Sequence, residues 1–145
     1  MAISIRFQKL DPAARVPTYG SSSAAGADLY ALQGVTVAPG QTVMMHTGIA
    51  LEIPEGYAGL IYARSGLATK RGLAPANKVG VVDADYRGEI MVSLHNHSGE
   101  AQSVEAGERI AQLVITPFLR VEFDESDGLS DTDRGAGGFG STGTK

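Results

Sequence analysis

Two stretches of the 145-residue chain have residue types and spacings suited to phosphate or metal chemistry. The first is Gly135-Ala136-Gly137-Gly138-Phe139-Gly140, which satisfies the G-x-G-x-x-G spacing of a dinucleotide fingerprint. That fingerprint needs a strand before the turn and a helix after it, and only five residues follow Gly140. Gly138 to Lys145 comes near a phosphate loop, but Thr144 precedes Lys145 where the lysine must come first. What both patterns share survives: consecutive backbone N–H groups, unobstructed by side chains, can wrap phosphate oxygens. The second stretch is His95 and His97, two apart on a predicted strand and so on one face. No third ligand falls at zinc-site spacing and His46 is distant, so exposed strand or turn histidines are the plain reading. Cysteine is absent, which removes disulfides, thiolate zinc sites and a cysteine nucleophile.

The elements that must position any site are mostly short strands. Ile3, Ile5 and Phe7 alternate with polar residues as on a half-buried strand. Thr36 to Thr47, Gly48 to Ile53 and Tyr57 to Tyr62 read as further strands, with turn signals at Pro39-Gly40 and Pro54-Glu55-Gly56. Ile90, Val92 and Leu94 alternate cleanly, and Arg109 to Thr116 is a mostly apolar strand. His97-Ser98-Gly99-Glu100 and Glu105-Ala106-Gly107-Glu108 read as hairpin connections. Ser65 to Arg71, closed by Gly72, is the one helical stretch. Many short strands between regular turns predict an all-β, jelly-roll-like sandwich or barrel with one short helix. From Asp124 the character changes: an acidic piece with a lone Leu129, then a glycine-rich piece with a lone Phe139. Neither can bury enough apolar surface to order itself, so residues 1–123 are read as the body and 124–145 as a flexible glycine-rich C-terminal arm.

Bulk composition narrows the function classes. Hydrophobic residues make up 43%, aromatics only 6%, and tryptophan is absent, so Val, Ile, Leu and Ala must fill a modest core that subunit contacts would supplement. The net charge is −4, an odd balance for a polyphosphate binder. Six acids lie between Val121 and Asp133 with no base; setting them aside leaves ten acids against 12 bases. The body is thus mildly basic and suits a single small anion. No basic tract interleaved with aromatics supports nucleic-acid binding. Met1 to Leu10 has no signal-peptide core and no run of 18 apolar residues exists, so a cytoplasmic protein away from membranes is expected.

Five blocks follow one another: Ala25-Gly26-Ala27-Asp28-Leu29-Tyr30; Ala63-Arg64-Ser65-Gly66-Leu67; Gly80-Val81-Val82-Asp83-Ala84-Asp85-Tyr86-Arg87-Gly88; Gly107-Glu108-Arg109-Ile110-Ala111-Gln112-Leu113; and Arg134 to Gly143. Each alone is a weak pattern. In this order and spacing, from about Ser4 to Gly143, the chain resembles the trimeric dUTPases. The resemblance implies a jelly-roll-like homotrimer that hydrolyses dUTP to dUMP and pyrophosphate with Mg²⁺, lowering dUTP and supplying dUMP for thymidylate synthesis. It implies three sites at subunit interfaces, with blocks one, two and four from one chain, the third from a neighbour and the glycine-rich fifth as a lid.

The resemblance also implies residue roles. Asp83 would orient and deprotonate the water that attacks the α-phosphate, and Asp28 would hold a magnesium-bound water while Mg²⁺ rides on the triphosphate. Arg64, Ser65, Gly66 and Gln112 would line the phosphate path, Ser65 and Gly66 through free N–H groups at a helix start. Uracil would be read in the hairpin around the third block, by backbone groups of the strands carrying Val81, Val82 and Met91 and by the amide of Asn77. Tyr86 would pack on deoxyribose, and Phe139 would stack on the base. Arg134, Gly140, Ser141 and Thr142 would hold the outer phosphates. Plainer readings stand beside these: Asp83 as a turn cap, Asp28 and Tyr86 as turn residues, and Arg64 in an intersubunit ion pair. Rival functions are a deoxycytidine-triphosphate deaminase of the same fold, which relies on a glutamate near the base where this chain offers Asp83, and a non-catalytic trimeric binding module.

Overall fold

The computed structural model describes residues 2–140 and Gly143. Eleven strands and one helix follow in the order β1 (Arg6–Lys9), β2 (Thr18–Tyr19), β3 (Ala27–Tyr30), β4 (Val35–Val37), β5 (Thr42–Glu52), β6 (Tyr57–Tyr62), α1 (Ser65–Arg71), β7 (Leu73–Pro75), β8 (Gly80–Val82), β9 (Glu89–Asn96), β10 (Gln102–Val104) and β11 (Arg109–Pro117). They form a four-stranded sheet β1-β5-β9-β7, a five-stranded sheet β2-β3-β11-β6-β8 and a β4-β10 pair. All pairings are antiparallel, giving the expected all-β, jelly-roll-like architecture.

One apolar core joins the three sheets. β9 turns Ile90, Val92, Leu94 and Asn96 inward on its even positions, while β3 and β11 contribute Leu29, Ile110 and Leu113. Val37 and Val104 close the end under the two-stranded pair. Full burial of each such aliphatic side chain stabilises by about 1.5–3 kcal/mol. The one buried amide, Asn96, is completely satisfied: its Nδ2 donates to Val37 O and Glu100 O, and its Oδ1 accepts from Ser98 N and Oγ. The helix ends where the sequence predicts, with Gly72 at φ 66° in the left-handed cap and its N–H returned to Ala68 O at 3.2 Å.

Several connections differ from the sequence reading. Gly48 does not end a strand: β5 runs through it, and the register with β9 shifts between His46 and Ala50. Gly48 takes φ 70°, and a Cβ there would stand 2.8 Å from Ala14 Cβ, so the bulge requires glycine. The turns at 97–100 and 105–108 are not hairpins. β10 pairs with β4 rather than with β9 or β11, so each turn carries the chain from one sheet to another. His97 falls just past the end of β9 and does not share a strand with His95, whose Nδ1 meets Thr42 Oγ1 at 2.9 Å. Nor is Ile3 to Phe7 a half-buried strand: β1 starts at Arg6, lies at the sheet edge and is exposed throughout, while Ile5 packs on the core from outside it. After Pro117 regular structure ends, and Leu119, Phe123, Leu129 and Phe139 are fully or almost fully exposed.

Candidate active site

The third block occupies a cleft between the two large sheets. Sequence reasoning placed Val81, Val82 and Met91 on a hairpin, but β8 pairs only with β6 and β9 only with β5 and β7. The two strands splay into different sheets, β8 being the outer edge of its own. Between them opens a cleft of ≈ 270 Å³ that brings Asn77, Val81, Val82, Asp83, Tyr86 and Met91 together, with Met44 and Glu89 completing its wall. An edge strand leaves a row of backbone N–H and C=O groups without strand partners, and here the edge strand β8 lines the cleft. Val81 is 64% exposed on this edge.

Asp83 follows β8 at the mouth of the cleft, where the chain turns and Tyr86 N–H donates to Asp83 O at 3.1 Å. The turn is closed by backbone, not by the Asp83 side chain. Among the described residues its exposed carboxylate makes no hydrogen bond or ion pair, so it does not cap the turn. The Tyr86 hydroxyl donates to Glu89 O at 2.7 Å, which fixes the ring across the 86–89 segment. Arg87 turns away, donating to Ala84 O at 2.5 Å and lying 3.7 Å from Glu52.

A second cluster forms where β3, β11 and β6 run abreast. Asp28 is opposite Gln112, and Gln112 is opposite Tyr62. Arg64 Nε donates to Asp28 Oδ1 at 3.0 Å, and Arg109 Nη1 lies 3.7 Å from Asp28 Oδ2, so two guanidinium groups clasp a carboxylate only 13% exposed. Arg64 thus forms an ion pair within its own chain. Gln112 Nε2 donates to Ala63 O at 2.8 Å. A Cβ at Gly26 would stand 2.2 Å from Gln112 Oε1, which explains the glycine in the first block. Ser65 and Gly66 open α1 with no side-chain cap, leaving first-turn N–H groups free for an anion.

Within one chain the two groups stand apart. β8 meets β6 with Val82 opposite Gly59, so Asp83 leaves the sheet toward the Tyr57 end, while Arg64 follows Tyr62 at the other end. Asp83 comes level with Ala58, and Arg64 lies six residues further on, about 20 Å along the strand direction. Arg134, Phe139 and Gly140 lie on the exposed tail and line neither group; Arg134 Nε donates to Gly137 O at 2.7 Å. Ser141 and Thr142 lie outside the described residues.

Sequence reasoning missed Arg109 as an Asp28 partner, and it missed the pair His46–Glu89. Glu89 Oε1 meets His46 Nδ1 at 2.8 Å, and Glu89 Oε2 accepts from Gly48 N–H at 2.8 Å. Burial acts to raise the Glu89 carboxyl, but the bonds from His46 and Gly48 outweigh it and hold the group below its ordinary value of 4.5. Glu108 is likewise held low against its burial by Glu105 N–H and by Arg71, whose Nη1 donates at 2.8 Å. Only a residue-spacing signal for a bulge, Gly48 in an apolar run, hinted at the first pair.

The architecture is that of solved dUTPases. The chain superposes on the Staphylococcus bacteriophage 80alpha dUTPase with dUPNHPP at a TM-score of 0.92 and 29% identity, covering 99% of this chain and 100% of that one. A mutant dUTPase from phage phi11 of S. aureus, described as revealing the coordination of a structural Mg(II) ion, matches at a TM-score of 0.79 and 26% identity over 87% of this chain and 98% of that one. The deoxyuridine 5'-triphosphate nucleotidohydrolase of Nautilia profundicola is 48% identical over 97% of this chain and 99% of its own length. That of Desulfitobacterium hafniense is 49% identical over 97% and 95%. Residues 13–143 match the family model described as dUTPase, and the chain belongs to the dUTPase family.

Proposed function

We propose that this chain hydrolyses dUTP to dUMP and pyrophosphate at sites assembled from more than one copy of itself. The observation that carries the reading is the Asp83 carboxylate, unpartnered among the described residues, at the mouth of a cleft bounded by an unpaired strand edge. Uracil would enter against the β8 edge and Asn77, where backbone donors and acceptors match its face; cytosine would leave them unpaired, a mismatch that can reject an analogue by about 10⁴–10⁵. Tyr86, latched by its hydroxyl, would pack on deoxyribose and leave no room for a 2′-hydroxyl. Asp83 would orient and deprotonate the water that attacks the α-phosphate.

Arg64, Gln112, Ser65 and Gly66 would line the triphosphate path, supplied by a different copy from the one giving Asp83. The separation of the two groups in one chain supports a composite site, as does an apolar groove of ≈ 580 Å³ lined by Ile3, Phe7, Val16 and Tyr19, the kind of surface that association covers. A homotrimer with shared sites fits both. Residues 124–145 would act as the arm that closes over the site, Phe139 stacking on the base while Arg134, Gly140, Ser141 and Thr142 hold the outer phosphates. Gathering the groups from several chains and shutting out water lowers the barrier by positioning.

For magnesium, the donor set of the Asp28 cluster decides the mode. Each Asp28 oxygen already faces a guanidinium, and among the described residues no group of three acidic or histidine side chains could cage a cation. Asp28 therefore suits holding a water of an ion that arrives on the triphosphate. Bound there, Mg²⁺ would neutralise phosphate charge. No helix among the described residues is long and apolar enough to cross a membrane, and a cysteine-free chain suits the cytoplasm.

Pyrophosphate release measured with Mg²⁺ on dUTP, dTTP, dCTP and UTP tests the reading. Turnover confined to dUTP is expected. Ammonia from dCTP would replace it with the deaminase, and no turnover above buffer would leave a binding module.

A further inference from the structure

We propose that His46 is a positioning residue of the nucleoside cleft, acting through Glu89 to hold Tyr86; this rests on the reading of the cleft as a deoxynucleotide site. At the β5 bulge Thr47, Gly48 and Ile49 stand opposite Ile90 alone, so the ladder leaves backbone groups without strand partners. Local side chains take them up. Thr47 Oγ1 donates to Ile90 O at 2.6 Å, and the Glu89 carboxylate accepts the Gly48 N–H. Glu89 is thereby a plug seated in the bulge, and its other oxygen is held by His46. An ionised carboxylate can only accept, so the shared proton is carried on His46 Nδ1.

Glu89 has a second connection through its backbone. Its carbonyl receives the Tyr86 hydroxyl, so the residue seated in the bulge is also the anchor of the ring that lines the cleft. The order of contacts is His46, Glu89 side chain, Glu89 carbonyl, Tyr86 hydroxyl. Glu89 is 20% exposed, whereas His46 is 50% exposed and contributes nothing to the core, so its bond to Glu89 is its visible contribution. Without that bond one carboxylate oxygen is free, and the β9 end of the 83–88 turn is held less tightly, by the Gly48 bond and the Ala50 register alone. The consequence falls on ground-state packing of the sugar, not on the chemical step.

The test uses two variants in the full chain. His46→Leu removes the donor, and His46→Asn keeps an N–H near the position of Nδ1. In His46→Leu, amide exchange of residues 83–89 in the free protein should rise about three- to tenfold, the size of one lost hydrogen bond, while residues 90–94 stay unchanged. KM for dUTP should rise by a similar factor with kcat within about twofold, and the preference for dUTP over UTP should narrow. His46→Asn should restore all three. Parental exchange over 83–89 in His46→Leu would overturn the proposal, as would an Asn variant as impaired as the Leu variant or a loss confined to kcat. If the parent itself fails to hydrolyse dUTP, the functional reading falls, and the exchange measurement still decides whether His46 holds the Tyr86 turn.

Discussion

Asp83 and Glu89 flank the same turn and are held in opposite ways, the first unpartnered among the described residues and the second bonded on both oxygens. A free carboxylate is a weak base that orients water well. Asp83→Asn should therefore lower kcat by about 10²–10⁴ while nucleotide affinity stays near that of the parent, measured by steady-state kinetics beside equilibrium binding of dUMP. Glu89 and Glu108 also act on stability. Both have folded-state values below the ordinary 4.5, so the unfolded chain takes up their protons first. Their contribution is whole above about pH 4.5 and disappears as pH falls through the lower folded values. Urea midpoints should be level from neutrality to about pH 5 and decline below it, and Glu89→Gln should flatten that decline. Asp83 and Tyr86 were legible because their block is contiguous. His46–Glu89 was not, since its partners are 43 residues apart and meet only because a bulge at Gly48 brings a main-chain donor between them.

At the scale of elements, the chain is legible where one segment decides its own state. The α1 boundaries follow from Gly72, and β9 follows from the alternation of Ile90, Val92 and Leu94. Gly72→Ala tests the first of these. It would place a side chain at φ 66°, with a Cβ 2.8 Å from Ser98 Cβ and 3.0 Å from Ser98 N. A loss of at least about 1–2 kcal/mol is expected, seen as a lower denaturant midpoint at unchanged slope. What stayed hidden was which strand pairs with which. A four-residue turn looks alike in sequence whether the chain folds back on the same sheet or crosses to another. The turns at 97–100 and 105–108 cross because β10 has its partner in β4, more than sixty residues earlier. The splay of β8 from β9, which makes the cleft, was unreadable for the same reason.

For the whole molecule, the proposed site draws the Asp83 cleft and the Arg64 cluster from different copies of the chain. Trimers of Asp83→Asn and of Arg64→Ala should each be nearly inactive. After mixed refolding the hybrids should regain a substantial fraction of parental turnover, because some sites then draw both native side chains from different copies. Sedimentation should give three times the 15.1 kDa chain for every form. Absence of recovery, with the trimer intact, would put both groups in one subunit's site.

The open margin of β8 has a cost as well as a use. A strand edge left without a partner, the one proposed to take a pyrimidine, is also receptive to a stray polypeptide, and Val81 on its rim is apolar. Its three-residue length limits that hazard by offering intruders little to zip onto. Nucleotide in the slot would remove the hazard altogether, so a saturated preparation should resist clumping on warming better than an empty one.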